Sequence, residues 1–356
     1  MHFADGEIPR EYTRYIGRKV LFVAILAVLL AASLLVAISL GSAVIPWTDV
    51  FKSLIGMSTD HRFEIIVWNI RLPQALTAIV AGAGLSVAGA SMQCILRNPL
   101  GSPFTLGISH AAAFGAALSV MLIGSGVLFG QQGDTASVIS PVLTTVSAFV
   151  FSLAAAGVII VISRLRGATP EVMVLTGVAL GALFTAGTMF LQFFADDQEL
   201  AAMVFWTFGD TGRAGWGDLA LLSGVGGLAF VFFLVQAWSY NAIDAGDETA
   251  KGLGVRVEGV RMAGMMVASL VTAVIIAFLG IIGFVGLVVP HMVRRIIGGD
   301  HRFLLPASIL GGGLLLLLSD TAARLIIAPH VLPVSVLTAF LGAPVFIALI
   351  IRGRSR

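Results

Sequence analysis

The chain has 356 residues, of which 58% are hydrophobic and 11% are charged, and its formal net charge is +2. A soluble globular protein carries about 25% charged residues, so this composition excludes a soluble enzyme, a disordered chain and a disulfide-rich secreted domain. It indicates a polytopic membrane protein. The small net charge gives no reason to expect a nucleic-acid partner, and the single cysteine, Cys94, cannot form an intrachain disulfide.

Nine apolar runs follow one another along the chain, and their only charged residues are Arg294 and Arg295 near the end of the seventh run and an acid–base pair in the eighth. A membrane-spanning helix needs about 20 apolar residues. The seventh run is too long for one such helix, and it contains several glycines and Pro290, where a membrane helix can break or turn. We therefore predict two short spans there. The runs are Val20–Leu40, Leu72–Leu96, Phe104–Ile123, Val138–Ile162, Val172–Phe194, Leu219–Trp238, Met262–Ile297, Phe303–Ile327 and Leu332–Ile351.

The distribution of basic residues predicts the topology. With the seventh run counted as two helices, the chain has ten spans, and 16 of its 21 Lys and Arg residues fall on one side. Because cytoplasmic loops collect Lys and Arg, we place that side and both termini in the cytoplasm. The prediction comprises a cytoplasmic N-terminal segment (1–19), one ten-span domain (20–351) with a cytoplasmic loop at 239–261, and a basic tail (352–356). The long polar lead is not typical of a cleavable signal peptide.

Several signatures of other functions are missing from the sequence. It contains neither the G-x-x-x-x-G-K-[ST] phosphate loop nor H-E-x-x-H, and its histidines are scattered. We therefore expect no metal or cofactor on this chain. Ion-coupled carriers keep carboxylates deep in the membrane, and Asp320 is the only acid in an apolar run. An ion-coupled secondary transporter is thus a remote alternative. An intramembrane enzyme using Asp320 with His291 or His330 is another, but the topology separates these residues.

Two local patterns predict structure and no chemistry. Gly82, Ser86 and Ala90 place small residues four positions apart, which favours a close-packed helix face. Asn98–Pro103 contains two prolines and a glycine, which favour a rigid turn between the second and third spans.

A series of short motifs stands in a fixed order along the chain: Arg71–Leu76, Gly82–Gly89, Gln93, Arg97–Pro103, Leu106–Ser109, Gly280–His291, Gly299–Arg302, Leu305–Pro306, Asp320–Arg324 and Leu341–Phe346. It resembles the permease subunits of ABC importers for iron–siderophore complexes, haem and cobalamin, the FecCD/BtuC-type family. The resemblance implies an all-α integral membrane protein with the ABC type II importer permease fold and ten transmembrane helices per protomer.

The same resemblance implies function and partners. The chain would be an inner-membrane permease that passes an iron(III)–siderophore or related iron chelate to the cytoplasm, with haem or cobalamin as alternative cargo. Its partners would be a second permease protomer (an identical copy or a paralogue), two cytoplasmic P-loop ATPase subunits and an extracytoplasmic substrate-binding protein. The chain itself would be embedded in the lipid bilayer. ATP and magnesium would bind to the ATPase, so the chain itself would not be an enzyme.

The predicted cytoplasmic loop matches the family's coupling helices, which dock into a groove on the ATPase. The resemblance assigns Gly246, Asp247, Ala250, Leu253 and Gly254 to this loop. Ala250 and Leu253 are three residues apart, so both can face one groove, and Gly254 would supply the turn that ends the helix. The alternative is a solvated connector.

By the same resemblance, Arg71 and Arg324 pair with carboxylates on the binding protein. A guanidinium suits this task because it stays charged and binds a carboxylate through two hydrogen bonds. Alternatively, Arg71 extends to the membrane interface and Arg324 forms a structural ion pair with Asp320, four residues earlier. The family usually has a second arginine where this chain has Gln74.

The pore is weakly marked in the sequence. The family's pore runs between two protomers and is lined by the fifth and tenth spans, which makes Thr185, Met189, Gln192 and Phe346 candidates. Methionine and phenylalanine at such positions also pack in cores. His110 is either a packed, hydrogen-bonded histidine or a contact for the substrate.

Overall fold

The computed structural model describes residues 10–41, 45–57, 60–124 and 141–353. Within these ranges the chain is helical, and its only β interaction is a bridge between Phe208 and Ile281. Residues 1–9 of the predicted N-terminal segment and 354–356 of the predicted tail lie outside the described residues. The helices are α1 (Arg10–Ser39), α2 (Trp47–Leu54), α3 (His61–Ile65), α4 (Leu72–Ile95), α5 (Ile108–Gly124), α6 (Pro141–Leu165), α7 (Pro170–Phe194), α8 (Asp197–Thr207), α9 (Trp216–Val235), α10 (Ala237–Asp244), α11 (Asp247–Gly252), α12 (Val257–Leu279), α13 (Val285–Ile297), α14 (His301–Leu325) and α15 (Val334–Gly353).

The helices confirm the all-α class and the multi-pass architecture. Seven of the described helices are long and apolar enough to cross a membrane, and one of them is the continuous helix His61–Ile95, in which the π-helical turn Ile66–Arg71 joins α3 to α4. Two shorter apolar helices, Ile108–Leu122 and Val334–Ala348, match the predicted third and tenth spans. Helix α13 has 13 residues, fewer than the roughly 20 that cross a bilayer. The count of ten spans and the domain boundaries therefore stay predictions.

The long seventh run divides into two helices, α12 and α13, as predicted. The break begins at Gly280, whose φ of +78° is a conformation that glycine adopts readily. A Cβ on this residue would lie 2.8 Å from the carbonyl oxygen of Trp206 and 2.9 Å from that of Phe208. The break therefore packs directly against the end of α8, and Phe284, with φ +67°, precedes the first turn of α13.

Helix α4 forms the centre of the bundle, where it is mostly buried and packs against α14, α12 and α13. A Cβ on Gly82 would lie 2.2 Å from the carbonyl oxygen of Gly312, and one on Gly89 would lie 1.7 Å from that of Gly286. No side chain fits at such distances, so the backbones of these helices touch. Close packing of small residues is the main attraction between helices in lipid. The predicted packing face is confirmed.

The short helices α2, α3 and α8 were not predicted. Helix α8 begins with a capping box, in which the Asp196 carboxylate accepts a hydrogen bond from the backbone N–H of Glu199 at 2.8 Å. The Glu199 carboxylate accepts one in return from the N–H of Asp196 at 3.1 Å. Because this box is a sequence signature of a helix start, it could have revealed α8.

Candidate functional site

Two short helices, α10 and α11, fill most of the predicted coupling loop. Gly246 connects them with φ +118°, and Gly254 turns the chain after α11 with φ +82°. Residues with a Cβ rarely adopt these angles, so both glycines fit the turns they occupy. The sequence therefore forms a pair of short helices at one end of the bundle, and a tight turn at a glycine lies on each side of α11.

Asp247 attaches this helix pair to the bundle. Its carboxylate lies 2.8 Å from Nη2 of Arg261 on α12 and 3.5 Å from Nη1 of Arg97, just beyond α4. The Arg261 side chain is only 4% exposed, and its Nε donates to the carbonyl oxygen of Ile95 at 3.2 Å. Asp247 therefore faces the bundle and holds the first turn of α11 in place.

The structure separates the two residues that were expected to face one groove. Ala250 is fully buried within this chain, whereas Leu253 is 70% exposed. The expectation is therefore wrong for Ala250, because the side chain packs inward under α11. Leu253 remains an apolar side chain at the surface, next to the exposed pair of Lys251 and Glu248 (3.0 Å).

A groove of about 840 Å³ opens beside α11. It is partly apolar and carries both signs of charge, since Lys251, Arg256 and Glu258 all line it. Hydrogen bonding by Glu248 raises the pKa of Lys251. The remaining lining comes from Gln236, Met262 and the rest of the segment 254–260.

Helix α10 is attached to the start of α14 through Asn241. Its side-chain oxygen accepts from the backbone N–H of His301 at 2.8 Å, and its amide nitrogen donates to Asp300 at 3.0 Å. Asp300 caps α14 and pairs with Arg302 at 2.7 Å. Burial opposes ionisation of Asp300, but the hydrogen bonds from Arg302 and Asn241 outweigh it and lower the pKa of Asp300 to about 2.

One cluster nearby combines three metal-ligand residue types. The thiol of Cys94, the carboxylate of Asp244 and the imidazole of His301 lie within 4.8 Å of one another. However, Asp244 accepts from Arg294 at 2.9 Å, and Cys94 donates to the carbonyl oxygen of Tyr240 at 3.4 Å. His301 Nδ1 lies 3.0 Å from Asn241 Oδ1, whereas its Nε2 has no partner among the described residues. Because the thiol and the carboxylate have protein partners, we interpret the cluster as a junction of α4, α10 and α14.

At the other end of α4, the ion pair predicted on α14 is present. Arg324 Nε lies 3.1 Å from Asp320 Oδ2, and the two side chains are 11% and 4% exposed. The second carboxylate oxygen accepts hydrogen bonds from Gln74 Nε2 at 3.0 Å and from the hydroxyl of Thr211. Gln74 is therefore a neutral partner of the buried carboxylate, at the position where the resembled family has an arginine.

Arg71 and Arg324 both hold the end of α1. Arg71 Nη1 donates to the carbonyl oxygens of Ile38 and Ser39 at 2.7 and 3.0 Å, and the Arg324 guanidinium lies 3.3 to 3.4 Å from those of Ala37 and Leu40. The last carbonyl groups of a helix lack internal partners and attract cations. Arg71 is only 5% exposed, so a partner's carboxylate could reach it only if the end of α1 moved. The docking role of both arginines stays a prediction.

The predicted pore residues lie on two exposed helices. Met189 is 62% exposed, whereas Thr185, Gln192 and Phe346 are partly buried. The hydroxyl of Thr185 donates to a carbonyl oxygen of its own helix at 2.8 Å. Large exposed apolar residues surround them on both helices, namely Leu175, Val178, Leu183, Phe190, Phe193 and Phe194 on α7 and Phe340, Leu341, Val345 and Ile347 on α15.

Two phenylalanines that the sequence reasoning missed lie between these helices. A Cβ on Gly342 of α15 would lie 2.6 Å from Phe284 Cβ, and one on Gly283 would lie 3.8 Å from the Phe104 ring. The turn containing Phe104 continues to Gly107, which packs against α7. Phe284 therefore packs against α15, Phe104 belongs to a turn that packs against α7, and both phenylalanines line one cavity of about 210 Å³. The signal for Phe284 was its place directly after the predicted helix break.

His110 lies in the contact between α5 and α7. Its Nδ1 is buried and has no hydrogen-bond partner among the described residues. A Cβ on Gly181 of α7 would lie 3.7 Å from this nitrogen, and the Phe104 ring is centred 6.1 Å from the imidazole. His110 is therefore packed between α5 and α7, close to the ring of Phe104.

Comparison with known protein families identifies the family of this chain. The family model of the FecCD transport family matches residues 29–352, nearly the whole sequence. The chain belongs to the FecCD transport family. Its ordered motifs, its all-helical fold and its family match agree.

Relatives of this FecCD-family chain are transport proteins. MJ0087 of Methanocaldococcus jannaschii, which carries the name of an ABC transporter permease protein, is 50% identical over 97% of this chain and 98% of its own length. The hemin transport system permease protein HmuU of Yersinia pestis is 38% identical over 91% and 94% of the two chains. The Fe(3+)-citrate import system permease protein YfmE of Bacillus subtilis is 35% identical over 96% and 98%.

A solved structure shares the fold. It is an inward-facing ABC transporter assigned to the metal-chelate type, and it matches with a TM-score of 0.79 at 29% identity, covering 93% of this chain and 98% of its own. The FecCD-family chain is thus a multi-pass membrane permease of the ABC transporter class. The family is one of transport permeases, and in such complexes the ATPase is a separate subunit.

Proposed function

We propose that this chain is the permease subunit of an ATP-driven importer in the cytoplasmic membrane, which passes an iron(III)–siderophore or a related iron chelate from a docked binding protein to the cytoplasm. The observation that carries the proposal is Leu253, an exposed apolar residue on a helix pair that is attached to the bundle. The choice of an iron chelate is supported by a relative named for Fe(3+)-citrate import, whereas the relative named for hemin transport supports the haem alternative. Haem and cobalamin are the alternative cargoes.

The helix pair α10–α11 would be the part that the ATPase moves. Leu253 lies next to a groove with both signs of charge, which suits a protein partner with an apolar contact and a polar rim. Asp247 and Asn241 attach the pair to α12 and α14. A displacement of α10–α11 would therefore pull on helices of the bundle. ATP and magnesium would bind to the two cytoplasmic ATPase subunits.

The translocation path would run between two copies of the permease, or between this chain and a paralogue. The pore residues that the resemblance assigns lie on α7 and α15, whose exposed apolar side chains either lipid or a second protomer can cover in a membrane. A weakly binding apolar path suits a bulky chelate, because a tight site would retain the cargo. Both termini would then be cytoplasmic, following the distribution of Lys and Arg.

The binding protein would dock at the end of the bundle that holds the Asp320 cluster. Arg324 and Arg71 would contribute there by fixing the end of α1, to which both donate hydrogen bonds. Direct pairing with carboxylates of the binding protein would need these buried side chains to move.

The decisive experiment tests Leu253. The permease is reconstituted in liposomes with its ATPase and binding protein, and ATP-driven uptake of a ferric siderophore is measured. We expect Leu253→Asp to weaken ATPase assembly and to reduce uptake at least tenfold. Leu165→Asp is the matched control, because Leu165 is also an exposed leucine at a helix end (77%) on the side predicted to be cytoplasmic. Equal uptake by both variants would contradict the coupling role.

Two further measurements separate the alternatives. Direct binding of ferric siderophores, haem and cobalamin to the partner binding protein identifies the cargo, and preference for haem or cobalamin would overturn the siderophore assignment. Uptake without the ATPase subunit that collapses with a protonophore would instead establish an ion-coupled secondary transporter. We expect uptake to require the ATPase and ATP and to survive the protonophore.

A further inference from the structure

A groove between α1 and the end of α13 contains a buried positive charge. Lys19 is only 3% exposed. Its Nζ lies 4.3 Å from the centre of the Tyr15 ring and 5.2 Å from that of Phe303. In the part of the chain that the structure describes, this ammonium forms no ion pair with a carboxylate.

A buried ammonium needs an anion. Taking a charge out of water is unfavourable unless an opposite charge and hydrogen bonds compensate it. The two aromatic rings supply part of the compensation through cation–π contacts. The neighbouring side chains add positive charge, because Arg18 lines the same groove and Arg14 lies one turn earlier on α1. Asp300, the acid nearest in sequence to Phe303, is already engaged by Arg302 at 2.7 Å.

The shape of the groove limits what this anion can be. The groove has a volume of about 500 Å³, and its polar end is formed by Tyr15, Arg18 and Lys19. Its other end is apolar and is formed mainly by Phe22, Ile25 and Ile296. Lys19 is the last charged residue before the apolar run that begins at Val20. The polar end of the groove therefore lies at the depth of the lipid headgroups, and the apolar end lies at the depth of the acyl chains.

We propose that this groove binds an anionic phospholipid. The headgroup phosphate lies against the exposed Arg18 at the rim of the groove, where its charge compensates the buried ammonium of Lys19, and an acyl chain follows Phe22 and Ile25 along α1. The charge identifies the lipid class, because two cations that form no ion pair among the described residues favour a headgroup with net negative charge over a zwitterionic one. The bound lipid compensates the buried ammonium and fills the contact between α1 and α13.

The test uses the purified full-length permease in detergent. Thermal unfolding and native mass spectrometry are recorded with added phosphatidylglycerol, phosphatidylcholine or inorganic phosphate. We expect phosphatidylglycerol alone to remain bound and to raise the melting temperature by several degrees, as a ligand specific for the folded state does. An equal effect of phosphatidylcholine would overturn the charge assignment, and an equal effect of inorganic phosphate would overturn the lipid assignment.

Variants of Lys19 and Arg18 test whether phosphatidylglycerol binds in this groove. Lys19→Met keeps the apolar stem and removes the charge, so it should bind phosphatidylglycerol at least tenfold more weakly, whereas Lys19→Arg should retain binding. Arg166→Gln removes an exposed cation elsewhere and is the matched control. Equal lipid binding by Lys19→Met and Arg166→Gln would overturn the site. If Lys19→Met does not fold, Arg18→Gln decides, because Arg18 is exposed. Undiminished binding by that variant would equally overturn it.

Discussion

The carboxylate of Asp247 lies 2.8 Å from the guanidinium of Arg261, which is 4% exposed. This contact joins the first turn of α11 to α12, and Arg261 continues to the carbonyl oxygen of Ile95 at the end of α4. Helix α4 is the centre of the bundle, so a force applied to α11 reaches the core through one buried arginine. The short helix that precedes the exposed Leu253 is thus attached, through Arg261, to the mostly buried helix α4.

Removing the Asp247 carboxylate should loosen this attachment. Asp247→Ala leaves Arg261 buried without its charged partner, which we expect to cost about 2 kcal/mol of unfolding free energy. Glu248→Ala is the neighbouring control, because Glu248 is 88% exposed and its pair with Lys251 is a surface contact worth less than about 1 kcal/mol. Thermal unfolding in detergent compares the variants. A loss as small in Asp247→Ala as in Glu248→Ala would show that the contact carries no stability.

The Asp320–Arg324 pair should behave as a buried pair. We expect Asp320→Ala to cost about 3 kcal/mol, because it leaves a buried guanidinium without its carboxylate. The double variant with Arg324→Ala should lose less than the sum of the single losses, and a double-mutant cycle on unfolding free energies measures the difference. The exposed pair Lys52–Asp49, at 3.4 Å, is the control and should show coupling below about 0.5 kcal/mol. Equal coupling in both cycles would contradict this assignment.

Hydropathy and residue order predicted the architecture well. A bilayer imposes strong rules on helix length and charge, so the apolar runs and the break within the seventh run agree with the structure. The acid–base spacing of Asp320 and Arg324 predicted their ion pair correctly, because it depends only on helix geometry.

The environment of individual side chains was much harder to predict. Ala250 and Leu253 are three residues apart, yet one packs inward and the other faces solvent. Arg71 reaches carbonyl groups 32 and 33 positions away along the chain. Such contacts depend on which distant segments pack together, and the hydropathy of the sequence does not indicate this. The capping box at Asp196 could have been recognised in the sequence. However, α8 has only 11 residues, fewer than a membrane-spanning run needs, so hydropathy did not indicate it.

The contact between Gly82 and Gly312 should tolerate no side chain. Gly82→Ala places a methyl group 2.2 Å from a carbonyl oxygen, so α4 and α14 must separate, which we expect to cost about 3 kcal/mol or more. Gly224→Ala in α9 is the control, because nothing lies within 4 Å of the added Cβ, and alanine is the better helix former. Melting temperatures should fall by several degrees for the first variant and hold or rise for the second. Unchanged stability of Gly82→Ala would mean that the two backbones do not touch.

The capping carboxylate of Asp300 should make stability depend on pH. Its pKa is lowered from 3.8 to about 2 in the folded chain, so the ionised form stabilises the fold. That contribution is complete above about pH 4 and is lost as the pH falls towards 2. Because Asp300 is partly exposed, solvent screening limits it to about 1 kcal/mol.

The variant Asp300→Asn isolates this charge, because asparagine caps helices as well as aspartate does and is neutral at every pH. We expect it to be less stable than the wild type at pH 6, with about half of that difference left at pH 3. Asp60→Asn is the matched control, since Asp60 also caps a helix by accepting from the N–H of an arginine two residues later, in an identical Asp-His-Arg triplet. Unfolding free energies at the two pH values give the comparison. A stability difference for Asp300→Asn that stays constant between pH 6 and pH 3 would mean that the ionised carboxylate is not what holds α14 to Asn241.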